Sequence, residues 1–495
     1  MNDVHSPIAT RARAARLHEG AIGPWGLAAL AIGITSPAMG LYALWGPMQV
    51  ATGPITPLVF IAAMILVLPT ALSYAALNSR APSAGAASNW LWRSLSPVVG
   101  YQAGLAMSAY FIMAAISQPL LFALFFRDLI AYLAIPIPAT FVPVIGVCVG
   151  TIPVAAVTLK GAGLSVKTTV GLMLIESLVV VGLSATIFMH KVPEPGAAYL
   201  AAFDPRAATH GMSGFWAAMI LGAMAFAGFD VVSTAAEETR APREFIPKTI
   251  LLTVIGIAVF WAVNAWAFTL AIPHSVVTQY TLQGLTPVTP VARAYWGGGS
   301  IIVIATALTG ITAVYISCIQ GSSRLIFALA RHGLLPAALG ELSGTKRVPR
   351  NAVLAILGLV LALDVVTLLI LRNCLEGFTW WANALVFFAV ITFFGVNVAN
   401  ISHFLRIEPD RFHVLRNLLL PLAGAAMNLY LLYAAFFGSL WSAPLRTGRS
   451  VVIACVALFI VQMGSVAYVR WNRAELLSQD APLGADASPA AAEGA

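Results

Sequence analysis

A chain of 495 residues that is 60% hydrophobic and 9% charged, with mean hydropathy +0.88, excludes a soluble fold. Soluble domains carry roughly 25% charged residues, and their surface has to be solvated at any length. The formal charge of +8 and pI near 9.5 do not imply nucleic acid as a partner, because Lys and Arg are scattered over short loops between apolar runs, as in the cytoplasmic loops of membrane proteins.

A bilayer-spanning helix needs about 20 mostly apolar residues. That length predicts twelve spans: 22–46, 56–78, 97–125, 140–159, 168–189, 213–236, 249–272, 299–327, 351–371, 379–402, 418–438 and 450–470. The tail 1–20 carries Arg11, Arg13 and Arg16, and no small-residue cleavage site follows a short apolar core, so the first span reads as retained. The segment 80–96 is too short and polar to span and is expected at the membrane interface, with Trp90 and Trp92 among the headgroups. The stretches 190–212 and 273–296 are long and rich in Pro and Gly, lids or ordinary connectors. The tail 472–495, rich in Ala, Pro, Asp and Gly, is expected to be disordered.

With the N-terminus inside, 20 of the 27 Lys and Arg residues fall on the inner side, among them Lys160, Arg243 and Arg347. That bias places both termini in the cytoplasm and supports a multi-pass protein of the cell membrane. Cys148, Cys318 and Cys455 lie in apolar runs, where Cys acts as a small hydrophobe, and Cys374 stands in a loop. No CxxC or Cys/His cluster points to a metal or redox site, and no cofactor is expected.

Two spans have unusual interiors. The first, AIGITSPAMGLYALWGPM, places Gly33, Thr35, Ser36, Pro37 and Gly40 at mid-depth. Proline removes a backbone donor and crowds the preceding turn, which predicts a break near Thr35–Pro37. The sixth, ILGAMAFAGFDVVSTAAEE, holds Gly222 and Gly228, with Asp230 just beyond. Unwound backbone at membrane depth is tolerated where protein or a wet cavity covers it. Paired interrupted helices in corresponding positions of two halves mark a transporter's binding site; kinked packing helices with small residues at their contacts are the plainer alternative. Ionisable groups at depth are costly and functional by default. Glu176, in the middle of the fifth span, is the first candidate for a proton-carrying group, with a structural hydrogen bond or ion pair as the alternative, and Asp230 is the second; Asp364, in the ninth span, reads as structural.

GFDVVSTAAEETRAPREFIPKTI, residues 228–250, is similar to a signature of the amino acid–polyamine–organocation superfamily, with Ala241-Pro242 where the family has Asn-Pro. GSSRLIFALARHGLLP at 321–336 resembles a second family run, with His332 in place of its Asp. LSYAALNSRAPSAGAASNWLWRSL at 72–95 resembles a third, with Ala76 in place of its Glu. The resemblance covers residues 20–410. It implies an all-α polytopic protein of the leucine-transporter-like fold: a five-plus-five inverted repeat, helices 1–5 within 21–190 and helices 6–10 within 212–403, followed by helices 11 and 12 within 417–471. It implies that a substrate carboxylate meets the backbone N–H groups of Ala38, Met39 and Gly40. The amino group would meet carbonyls near Gly33, Ile34 and Thr35 and near Phe226, Ala227 and Gly228, beside Ser36, with Phe226 or Phe229 covering the substrate. In sodium-independent relatives a helix-5 Lys takes the place of a sodium ion; Glu176 aligns with it, reverses the charge, and favours an amine or cationic substrate.

The function these features imply is a secondary active transporter of amino acids or related organic cations, a proton-coupled symporter or an exchanger, with protons and the lipid bilayer as partners and no nucleic acid. A channel would show rings of like charge or a repeated filter, and neither is present. No nucleophile–base–carboxylate set suggests an enzyme: His190, His210 and His274 lie in loops or at helix ends. The short loops hold no signalling domain for a solute sensor, and no GxxxxGK[ST] loop binds ATP.

Overall fold

The structure, a computed structural model, describes residue 20 and residues 22–191, 197–343, 348–442 and 444–478. Arg11, Arg13, Arg16, Arg347 and the tail beyond residue 478 lie outside the described residues. The described chain is all helical; its extended contacts are two isolated bridges, Ile22 with Thr239 and Ser343 with Val348.

Each of the twelve expected spans falls on an apolar helix. Among the described residues ten helices are long and apolar enough to cross a membrane, and Val142–Thr158 and Gly211–Ala225 are shorter apolar helices in the fourth and sixth places. Large side chains on their outer faces, such as Leu178, Leu252 and Leu369, stay exposed. In water that would be costly; in hydrocarbon it is the favoured arrangement, provided that backbone hydrogen bonds are satisfied within each helix.

The inner layer consists of helices that pack on several neighbours. Thr56–Arg80 lies along Pro242–Ala271, and Pro97–Tyr132 lies along both Ser300–Arg331 and Cys374–Arg406. The eleventh span, beginning at Leu415 and continuing as Leu420–Leu432, is tied to this layer by amide side chains. Asn428 Nδ2 and Asn397 Nδ2 both donate to Thr70 Oγ1, at 3.0 and 2.9 Å. Ser73 Oγ donates to Asn397 Oδ1 at 2.8 Å, and Asn400 Nδ2 donates to Ser73 Oγ at 3.1 Å. All of these groups are buried, so each bond removes a polar group that hydrocarbon could not satisfy.

The two indoles expected among the headgroups, Trp90 and Trp92 of segment 80–96, pack inside the protein instead. Their helix Ala87–Ser94 is buried, with Trp90 1% and Trp92 5% exposed. Trp90 donates its indole N–H to Ala81 O at 2.7 Å and meets Tyr74 edge to face; Trp92 packs with Tyr101, Leu329 and Val469. Amphipathic indoles suit an interface, but each finds a core slot here, and Trp90 its acceptor as well. The stretch 273–296 forms two helices, His274–Leu282 and Val288–Trp296, whose Val277, Val288 and Val291 are buried; the first packs on Trp45–Thr52. It is a packed cap over that end of the bundle.

The other end is closed by charge. Arg324 pairs with Glu238, and Arg331 with Glu237 at 3.1 Å, joining the eighth helix to the chain after the sixth. Arg240 Nε donates to Gly20 O at 3.0 Å and Ile22 N–H to Glu238 O at 2.8 Å, so the start of the first span is bound into the same knot.

Candidate functional site

Both expected breaks form, and they touch. In the first span, Pro24–Thr35 ends at Ser36, whose φ of 39° and ψ of 116° leave the helical region, and helix resumes at Met39. Pro37 lacks an N–H, so the Gly33 carbonyl loses its helical donor. The Pro37 carbonyl accepts the Trp261 indole N–H at 3.0 Å. In the sixth span, Gly211–Ala225 stops, a run of turns follows, and Val231–Thr234 restarts the helix. Gly228 sits at φ +116°, where a side chain is strained, and a Cβ there would lie 2.8 Å from the Ile34 side chain. The two unwound segments therefore pack on each other directly.

Beside them is a cavity of about 80 Å³, room for several waters or a small solute. Five of the expected site residues line it: Ile34, Thr35, Met39, Gly40 and Ala227. The remaining expected residues lie off its wall. Gly33 packs against Thr169 and Ser317. Ser36 and Ala38 turn toward Glu176. Phe226 stacks edge to face on Trp261, and Phe229 on Tyr74. A Cβ on Gly40 would collide with the Trp261 indole, so this glycine serves the approach of the seventh helix as well as the cavity.

Sequence reading missed the opposite wall. The third span supplies Tyr110, Ala114, Ser117 and Gln118; the eighth supplies Val314 and Cys318; the tenth supplies Phe378 and Leu385. One signal was available: Ser117-Gln118-Pro119 interrupts an otherwise apolar helix. Ala43 and Leu44 follow the first break toward the capped end, so the cavity extends away from the charged knot at Glu238.

Two carboxylates flank the breaks. Glu176, fully buried, accepts the Ser36 hydroxyl at 2.9 Å on Oε2, faces the Ala38 amide, and leaves Oε1 without a partner. A Cβ on Gly310 would collide with that Oε2, so the eighth helix can pass only because it carries glycine there. Ser36 Oγ also caps the Met39 N–H at 3.1 Å. Asp230, equally buried, accepts Tyr110 OH at 3.0 Å on one oxygen and Tyr74 OH at 3.3 Å on the other. Neither carboxylate lines the cavity. Asp364 is buried elsewhere, on Arg350–Leu371, with neither carboxylate oxygen hydrogen-bonded. Among the described residues no group of His, Cys, Asp and Glu could hold a metal ion.

A family model described as amino acid permease matches residues 27–470. The chain is 25% identical to the branched-chain amino acid permease BcaP of Bacillus subtilis (strain 168), across 74% of this chain and 80% of that protein. It is 26% identical to the low-affinity putrescine importer PlaP of Escherichia coli (strain K12), across 78% of this chain and 82% of that one. It is also 26% identical to the vacuolar cationic amino acid transporter 4 of Arabidopsis thaliana, across 67% of this chain and 56% of that protein.

Proposed function

The chain belongs to the amino acid permease family, a family of transporters and not of enzymes, and on that premise we propose that it carries α-amino acids with uncharged side chains across the cell membrane by alternating access, coupled to protons through Glu176. Both termini are cytoplasmic in this reading, and the two five-helix repeats, 21–190 and 212–403, rock about the paired breaks.

The observation that carries the substrate class is the cavity wall. It includes no Asp, Glu, Lys or Arg. The second ammonium of a diamine, or a cationic side chain, would be desolvated there without a counter-ion, which costs several kcal/mol. Glu176 and Asp230 could neutralise such a charge, but both are buried behind the wall and engaged with Ser36 and the two tyrosines. The amine preference drawn from Glu176 is set aside for that reason.

Coupling rests on Ser36. Its hydroxyl caps the Met39 amide, one of the groups assigned to the substrate carboxylate, and donates to Glu176. A carboxylate arriving at the break displaces the hydroxyl that Glu176 holds, so the charge on Glu176 and the occupancy of the site influence each other. Such linkage is reciprocal.

The test is uptake of labelled L-leucine into proteoliposomes, with and without an inward proton gradient, against unlabelled competitors. We expect the gradient to drive accumulation and neutral amino acids to compete. Accumulation of putrescine in place of leucine would sink the substrate reading. Uptake indifferent to the gradient would sink the coupling.

A further inference from the structure

The polar atoms on the cavity wall share a property that no single residue reveals: the side-chain amide and hydroxyl donors are turned to protein acceptors. Thr35 Oγ1 donates back to Ala31 O at 3.1 Å. Tyr110 donates to Asp230 at 3.0 Å. Ser117 Oγ donates to Ala114 O at 2.8 Å. Gln118 Nε2 donates to Ala114 O at 3.2 Å and to Ser117 Oγ at 2.9 Å, so the amide nitrogen is turned to its own helix. Those bonds also fix which way the amide faces, since only nitrogen can donate to the Ala114 carbonyl. Gln118 Oε1 is left with no partner among the described residues, on a side chain that lines the cavity.

What the wall turns toward a solute is therefore chiefly acceptor capacity: the Gln118 carbonyl oxygen, and lone pairs on hydroxyls whose protons point elsewhere. The amides of the break do not change this in the present conformation, because Met39 N–H is capped by Ser36 Oγ at 3.1 Å and Gly40 N–H meets Ser36 O at 3.4 Å.

We propose that Gln118 is a specificity-determining residue: its carbonyl oxygen makes the third-span wall read substrate side chains as donors, admitting apolar and hydroxyl- or amide-bearing side chains and rejecting anionic ones. The inference rests on the amino acid reading above and extends it to the side chain. An anionic side chain would lose its water and meet an acceptor with no proton to share; a buried polar group left unpaired in this way discriminates more strongly than any change in apolar contact. A leucine-like side chain loses nothing, since Val314, Leu385 and Phe378 supply the rest of the wall. A threonine-like hydroxyl gains a bond to Gln118 Oε1.

The experiment compares wild type, Gln118→Met and Gln118→Glu, purified in nanodiscs, by competition of L-threonine, L-lysine and L-glutamate against labelled L-leucine. Methionine keeps the volume and removes the acceptor, so the threonine-to-leucine affinity ratio should fall about tenfold, the worth of one hydrogen bond near 1.4 kcal/mol. Glutamate at position 118 adds a charge, so lysine should become a competitor, gaining tenfold or more. Glutamate as a ligand should fail against all three proteins. An unchanged threonine-to-leucine ratio in Gln118→Met overturns the proposal, as does L-glutamate competing with wild type. If the methionine variant misfolds, as judged by elution profile, the lysine gain in Gln118→Glu decides alone. Failure of the broader reading looks different: wild type would then bind none of these amino acids, whatever stands at position 118.

Discussion

The breaks in the first and sixth spans each have a buried carboxylate behind them, and the two are held in opposite ways. Asp230 belongs to the sixth span itself, and each of its oxygens accepts a tyrosine hydroxyl, one from the second span and one from the third. Glu176 reaches the first break from another helix, is held by the Ser36 hydroxyl and faces the Ala38 amide, both on the broken segment, and keeps an oxygen free. A carboxylate with both oxygens held by side-chain donors is a fastener, since any change of charge or position leaves hydroxyls unsatisfied in a dry interior. One with a spare oxygen, its partners on a broken segment and a glycine at its back can change state at small cost. The difference separates the two candidates for proton coupling that the sequence left side by side.

Asp230→Leu should produce the largest loss. Two tyrosine hydroxyls would lose their acceptor at about 1–3 kcal/mol each, a destabilisation of roughly 2–6 kcal/mol. Thermal unfolding in detergent measures it, and Asp230→Asn, which keeps one acceptor, should fall between Leu and wild type. A wild-type melting curve for Asp230→Leu would show that Asp230 fastens nothing.

Gly310→Ala comes next. The added methyl collides with Glu176 Oε2, and overpacking of this kind costs about 1–3 kcal/mol. Combining it with Glu176→Ala should recover most of the loss, because the collision partner is gone. Additive losses in the double mutant would mean that the glycine matters for some other contact. Tyr110→Phe should cost about 1 kcal/mol, one hydrogen bond, while leaving leucine uptake measurable; a loss as large as that of Asp230→Leu would show that the aspartate acts through Tyr110 alone.

The smallest change in stability belongs to Glu176→Gln, which we expect within about 1 kcal/mol of wild type, since the amide oxygen can still accept from Ser36. Its effect is functional. Glutamine stands for the protonated carboxyl, so the variant should match wild type at acidic pH and, unlike wild type, keep that behaviour as pH rises. Uptake measured from pH 5 to 8.5 gives the profile. A pH profile parallel to wild type would move the coupling away from Glu176.

The sequence made one half of the cavity legible and not the other. Pro37, Gly228 and the small residues around them announce the breaks because a missing donor and a positive φ are written in residue types. Twelve apolar lengths announce the spans. Apart from the polar step at Ser117-Gln118, the opposite wall is built of residues such as Ala114, Leu121, Val314, Cys318 and Leu385 that also fill ordinary helix contacts, and only packing tells the two uses apart. The same limit governs Trp90 and Trp92, whose indoles suit an interface and a core equally well. Gly310 was silent because its significance is the carboxylate of another helix.

The amides that hold the eleventh span set a schedule for making the protein. Thr70 and Asn428 are 358 residues apart. At a synthesis rate of about 5–20 residues per second, the second helix waits roughly 20–70 s for its partner to be translated. For most of that interval Thr70 and Ser73 lack Asn397 and Asn400, which come 327 residues after them, and Asn428 arrives last. Truncating the gene before the tenth span should therefore leave the first nine spans held by the insertion apparatus or cleared by membrane proteases, and assembly should complete only once the late asparagines arrive.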